Sequence, residues 1–147
     1  MATWATRNET LSCPELQDHF SEIDDGLALL DQGLRLLEAH MDNDLARTGG
    51  LVLLKAKNLT FGCYSLMLDG LGQEAQALLR PLLEALEMAC YLRTVPEGLS
   101  QAKDDRLPKS GEVAKKIGGN FQRLRDHLNK HGSHLTLSPE AMRHLLR

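Results

Sequence analysis

Apolar residues recur at alternating steps of four and three through the first third of the chain. Residues with this spacing share one face of an α-helix, which turns once about every 3.6 residues. The positions between them are mostly polar or acidic. The pattern predicts one long helix over about residues 14–44, with a narrow apolar seam suited to antiparallel packing. The seam consists of Leu16, Phe20, Ile23, Leu27, Leu30, Leu34, Leu37 and Met41.

Four later segments also have helical periodicity. A second helix is predicted from residue 45 or 48 to 68, and its broad apolar content predicts a central, well-buried position. A third is predicted over about 73–93, and a short last helix over about 138–146. Another begins near residue 110 and is interrupted by Gly118-Gly119. Its apolar positions are Val113, Ile117, Phe121, Leu124 and Leu128.

The remaining segments predict how the chain is organised. Residues 1–12 are expected to be disordered. Residues 94–110 combine prolines, a glycine and mixed charges, which predicts a linker or lid with a short helix near 98–106. Leucine is abundant, aromatic residues are scarce, and no segment has the pattern of a strand. Residues 1–147 are therefore predicted to form a single all-α domain, an antiparallel helical bundle of about five helices.

Several classes of protein are not expected. The three cysteines are an odd number without a CxxC spacing, so they predict neither a disulfide framework nor a zinc knuckle. The N-terminal residues lack the apolar core of a signal peptide. No apolar run is long enough to span a membrane. The expectation is a cytoplasmic protein that makes no membrane contact and needs no cofactor.

Charge is distributed unevenly along the chain. Residues 1–102 carry 7 lysines and arginines against 15 aspartates and glutamates, whereas residues 103–147 carry 10 against 5. Two explanations fit this asymmetry. The basic C-terminal part can bind an anionic partner, such as RNA or a nucleotide. Alternatively, acidic and basic helices attract each other within one bundle or across a homodimer.

The densest group of reactive side chains lies in the segment 121–134. Periodicity assigns Phe121, Leu124 and Leu128 to the core. The same periodicity turns Arg123, Arg125 and His127 toward solvent and places His131 at the next step of the apolar stripe. The candidate catalytic residues are Arg125, His131 and His134, and the candidate ligand-binding residues are Arg80, Glu84, Asn129 and Ser133.

Three interpretations of this segment remain open. His127, His131 and His134 have the i, i+4, i+7 spacing of a three-histidine metal site. Arg125 and His131 form an R-x5-H pair, in which an arginine can hold a phosphate while a histidine moves protons, as in metal-independent RNA cleavage. The third interpretation is structural: His131 faces the core, and the rest is a solvated basic face.

The third predicted helix carries charged residues that could complete such a site. Arg80, Glu84 and Glu87 are four and three residues apart and so share one face. They predict an intrahelical ion pair. They also predict a crevice near Pro81, in which a carboxylate could orient His131 or His134.

Two motifs resemble those of a family of uncharacterised bacterial helical proteins. That family combines an R-[SP]-LLEA helix with a late segment of the type aromatic-x-x-L…L-[SN]…H. The first motif matches the run from Leu78 to Leu86, and the second matches Phe121, Leu124, Leu128, Asn129, His131 and His134. The resemblance covers about residues 45–138. The family is similar to the HEPN superfamily, named for nucleotide binding in higher eukaryotes and prokaryotes.

The resemblance implies an all-α bundle, often dimeric, in a toxin–antitoxin or defence context. Many HEPN members are ribonucleases with an R-x4-6-H motif, and Arg125 and His131 fit that spacing. Asp126 departs from the motif, because a polar residue such as asparagine usually follows the arginine. Other members lack the motif and act as non-catalytic partners or antitoxins. The expected function is a partner-, nucleotide- or RNA-binding module, with a ribonuclease and a histidine metal protein as alternatives.

Overall fold

The computed structural model describes residues 2–119 and 121–131. These residues form α-helices, one 3-10 turn and no strand, so the predicted all-α class is confirmed. The predicted last helix, together with Ser133 and His134, lies outside the described residues. The elements are α1 (Ala2–Leu11), the 3-10 turn (Pro14–Leu16), α2 (Gln17–Glu38), α3 (Asp44–Leu68), α4 (Gly72–Thr94), α5 (Gly98–Lys103), α6 (Ser110–Lys116) and α7 (Gln122–His131).

The first helix lies where the sequence predicts disorder. The side chain of Arg7 fastens α1 to the end of α3. Its Nε donates to Asp69 Oδ1 and its Nη2 to Asp69 Oδ2, each at 2.9 Å. Nη2 also donates to Ser65 Oγ at 2.8 Å. A pattern confined to residues 1–12 could not predict this order, because the partners lie about 60 positions away in sequence.

The boundary between α2 and α3 is set by a helix cap. The Asn43 side chain accepts hydrogen bonds from the backbone N–H groups of Leu45 at 2.8 Å and Ala46 at 3.3 Å. Such a cap satisfies donors that the first turn of a helix leaves without partners. Helix α2 therefore ends at Glu38, short of the predicted residue 44, and α3 begins at Asp44.

Helices α2, α3 and α4 follow one another along the chain, and each packs antiparallel to the next. The Phe20 and Tyr64 rings lie 6.0 Å apart between centroids, and Asp31 forms an ion pair with Lys57. These contacts run in opposite directions along α2 and α3. Helices α3 and α4 are joined by a turn at Gly70, whose φ of +77° favours glycine. Beyond that turn Cys63 Sγ lies 3.5 Å from the carbonyl oxygen of Ala75.

Helix α4 is central, because the short helices α5, α6 and α7 pack on it. Its Tyr91 is completely buried, and the Tyr91 hydroxyl donates to Gln101 Oε1 of α5 at 2.7 Å. Lys103 of α5 donates to Asp44 Oδ2 at 2.6 Å, and this hydrogen bond and the Lys103 charge lower the pKa of Asp44. The short helices thereby join α4 to the start of α3.

The segment predicted as one interrupted helix after residue 110 is two helices. Gly118 and Gly119 have φ values of +88° and +65°, in the left-handed region that ends helices. Helix α7 begins again at Gln122. Within residues 2–119 and 121–131, no helix is long and apolar enough to cross a membrane.

Candidate functional site

The interface between α4 and α7 contains a buried ion pair. Arg125 of α7 is 8% exposed and Glu87 of α4 is 1% exposed. The Arg125 Nη2 donates to Glu87 Oε2 and lies 3.4 Å from the carbonyl oxygen of Ser110. The Arg125 Nη1 lies 4.0 Å from Glu84 Oε1. The guanidinium is therefore held between two carboxylates of one helix.

Glu87 and Arg125 each lie on a helix face that also carries residues buried in the core. Glu87 lies four residues from each of Leu83 and Tyr91, which are buried. Arg125 lies three residues before Leu128, which is also buried. Residues with these spacings share a helix face. A charge on such a face must be paired, because an isolated charge away from water is strongly unfavourable.

The predicted orientation of α7 is wrong in two residues. Arg125, assigned to solvent, is buried, and Leu124, assigned to the core, is 47% exposed. The cause is the Gly118-Gly119 turn. Because the helix stops and restarts there, the face of α6 does not continue in register along α7. Leu128, also assigned to the core, is buried as predicted.

The buried pair continues into an exposed polar chain. Arg80 Nε lies 3.4 Å from Glu84 Oε1, so the predicted intrahelical ion pair is confirmed. Arg80 Nη1 also donates to Asn129 Oδ1 of α7 at 2.7 Å. Four candidate residues, Arg80, Glu84, Arg125 and Asn129, are thus brought together. Glu87 was predicted only as a member of the α4 face, and its partner on α7 was missed.

The histidines are less completely described. His127 lies on the exposed side of α7, and His131 is the last residue of that helix. The side chain of His131 and the whole of His134 lie outside the described structure. Among the described residues, no three histidine, cysteine or acidic side chains come close enough to hold a metal ion.

A small cavity lies where the end of α4 meets α6. Its volume is about 280 Å³. Phe121 and Ile117 provide apolar walls, and Arg93 and Lys116 supply positive charge. Lys116 Nζ lies 3.8 Å from Glu97 Oε1. No ion pair of Arg93 is present within the described part of the chain. The cavity is lined by Cys90, Arg93, Thr94, Val95, Lys116, Ile117 and Phe121.

Helix α3 carries an exposed apolar face, which we call the α3 stripe. It comprises Leu51, Leu54, Asn58 and Phe61, spaced by three and four residues. Leu51 is 65% exposed, Leu54 45% and Phe61 46%. The prediction that this helix is well buried is therefore wrong for one side of it. Its fully buried residues are Ala46, Ala56, Cys63 and Leu68.

These features define an all-α protein with a buried ion pair between two helices, a small basic cavity and an exposed apolar helix face. Comparisons with protein-family models, with curated proteins and with solved structures find no match to this chain.

Proposed function

We propose that this protein is a HEPN-like helical bundle whose function is to bind a protein partner, without catalysis of its own. The observation that carries the proposal is the α3 stripe. Leu51, Leu54 and Phe61 stand in one row on one helix, and each keeps nearly half or more of its surface exposed. Large exposed apolar patches on soluble proteins mark interaction sites.

The free energy available from burying the α3 stripe supports an interaction role. Burying one large apolar side chain is worth about 1.5–3 kcal/mol relative to leaving it exposed. A partner that covers the three large residues of the stripe would therefore gain this free energy of burial from each of them. The helix beneath them is fixed by its packing against α2 and α4, so binding needs no reordering of that backbone.

The surroundings of Arg125 disfavour the ribonuclease alternative. A guanidinium that grips phosphate must be open to substrate, whereas this one is buried and bound to Glu87. Moving it to a substrate would leave the Glu87 carboxylate uncompensated in the core. Within the HEPN superfamily, this chain then resembles the non-catalytic partners and antitoxins more than the ribonucleases. Metal-independent RNA cleavage that disappears in a Glu87→Met/Arg125→Met double variant would reverse this assignment.

We expect photo-cross-linking to detect the partner directly. A benzoylphenylalanine placed at Leu54 in the full chain should give one discrete cross-linked product in cells, because the stripe is covered by a partner. The same probe at Asp18, an exposed residue of α2, is the control and should give none. Absence of a product from Leu54, or equal products from both positions, would contradict the interaction function.

A second candidate function is binding of an RNA or nucleotide at the basic side of the bundle. The cavity beside α6 favours it. Arg93 and Lys116 there can contact phosphate, and Phe121 can stack on a base. The exposed side chains of Arg123 and Lys130 on α7 extend the positive charge along the same part of the chain.

The salt dependence of RNA binding tests this second candidate. For single-stranded RNA, the slope of log K against log salt is about −0.7 for each phosphate contact. If both cavity residues contact phosphate, the Arg93→Ala/Lys116→Ala double variant should flatten the slope by about 1.4. The Arg35→Ala/Lys55→Ala variant removes the same charge from exposed positions on α2 and α3 and should retain the wild-type slope. Equal slopes for all three proteins would exclude phosphate contacts at the cavity.

A further inference from the structure

The α3 stripe continues the spacing of a coiled-coil seam toward both ends of the helix. Adding Arg47 before it and Ser65 after it gives positions 47, 51, 54, 58, 61 and 65, at steps of four and three. All six residues are exposed. At a rise of 1.5 Å per residue, the seam is about 27 Å long. Such a seam fits another helix of similar length packed at a shallow angle.

We propose that the occupant of the stripe is a second copy of this chain, with the two α3 helices antiparallel about a two-fold axis beside Asn58. This inference rests on the interaction function proposed above and names the partner. In this arrangement Asn58 meets Asn58 of the second copy, and Leu54 meets Phe61 of the second copy. A polar residue within an apolar seam fixes the register when it can pair across the interface. Two-fold symmetry makes every contact away from the axis occur twice.

The sizes of the side chains along the seam support the antiparallel direction. Leu51 falls opposite Ser65 of the second copy, so a large residue meets a small one. Ser65 is contacted by Arg7 of α1. Trp4 and Leu11 lie three and four residues from Arg7 and are exposed on the same face of α1. They can enclose the incoming Leu51 beside Ser65. A parallel pairing would instead place Ser65 against Ser65 and lose this complementarity.

The charges at the ends of the seam support the same direction. Arg47 falls opposite Asp69 of the second copy, since these positions are equally far from Asn58. Arg47 already pairs with Asp44 of its own helix, and its side chain remains 52% exposed. The Asp69 carboxylate already pairs with Arg7 and remains 24% exposed, so each group keeps open surface for a further contact. A parallel pairing would place Arg47 against Arg47, with like charges opposed. An antiparallel second copy therefore fits both the apolar and the charged positions of this face.

Engineered disulfides test the partner and the direction together. The Cα atoms of a disulfide lie within about 7 Å. In a full chain carrying Cys13→Ser and Cys90→Ser, Asn58→Cys should form a two-chain disulfide readily, because position 58 lies on the axis. Leu51→Cys alone should not, because positions 51 of the two copies are separated by about 21 Å along the helices. An equal mixture of Leu51→Cys and Ser65→Cys chains should cross-link.

The outcomes separate this inference from the function on which it rests. Ready cross-linking of Leu51→Cys with itself would show a parallel pairing and overturn the antiparallel arrangement. Failure of Asn58→Cys to cross-link would overturn the second copy as occupant. In that case, a photo-cross-linked product from Leu54 that is not two chains in mass would leave the interaction function intact. Failure of both experiments would reject the interaction function as well.

Discussion

Replacing Glu87 with alanine is expected to lower the free energy of unfolding by about 3–5 kcal/mol. The substitution leaves the Arg125 guanidinium in the core without the carboxylate to which Nη2 donates. Glu84 compensates poorly, because its Oε1 lies 4.0 Å away and its side chain is 34% exposed. Urea denaturation followed by circular dichroism measures the change directly.

Two variants separate the buried pair from the exposed chain beside it. Removing both buried charges in a Glu87→Met/Arg125→Met variant should restore much of the lost stability, since apolar replacements of buried ion pairs are often neutral or better. Arg80→Ala should cost less than about 1 kcal/mol, because its pair with Glu84 is partly exposed. If the double variant were as unstable as Glu87→Ala, the buried pair would not explain the loss.

The broad features of the fold follow from local pattern. The apolar periodicity of α3 and α4 placed both helices almost correctly, because each segment is long and strongly helical. Asn43, an N-capping residue type, stands at the start of α3, so the boundary near residue 44 had a local basis. The order of residues 2–11 depends instead on the contact between Arg7 and Asp69. Such a contact cannot be found from the local pattern.

The candidate site was partly predictable. Arg80 and Glu84 were placed together because both lie on one helix at a spacing of four. Arg125 was assigned to the wrong face because the glycine turn resets the helix, which the continuous stripe concealed. One indication was available: Arg125 lies four residues after Phe121 and three before Leu128. A charge at a core spacing, facing another such charge at Glu87, is typical of a buried pair.

The α3 stripe shows a different limit of sequence pattern. Apolar residues around a helix indicate that its surface will be covered, but they do not indicate what covers it. Helices α2 and α4 cover two sides of α3, and the side with Leu51, Leu54 and Phe61 remains exposed. The same composition would occur if this side were buried within the chain or against a partner. Only the arrangement of the neighbouring helices distinguishes these cases.

The proposed dimer is expected to dissociate when charge is placed on the stripe. In a Leu54→Glu/Phe61→Glu variant, the proposed contact between Leu54 and Phe61 of the second copy would become a pair of carboxylates. Two-fold symmetry makes this contact occur twice in the interface. The lost apolar burial alone is worth about 1.5–3 kcal/mol per side chain. Helix content should be unchanged, because both positions are exposed in the single chain. Leu29→Glu/Leu36→Glu, which charges two exposed leucines on α2, is the matched control.

The solution mass of these proteins, measured by light scattering at equal concentration, tests the central claim most directly. The wild type and the α2 control should have the mass of two chains, and the Leu54→Glu/Phe61→Glu variant the mass of one. A wild type with the mass of a single chain, or a stripe variant that keeps the mass of two, would contradict the assignment of this face as the contact between copies.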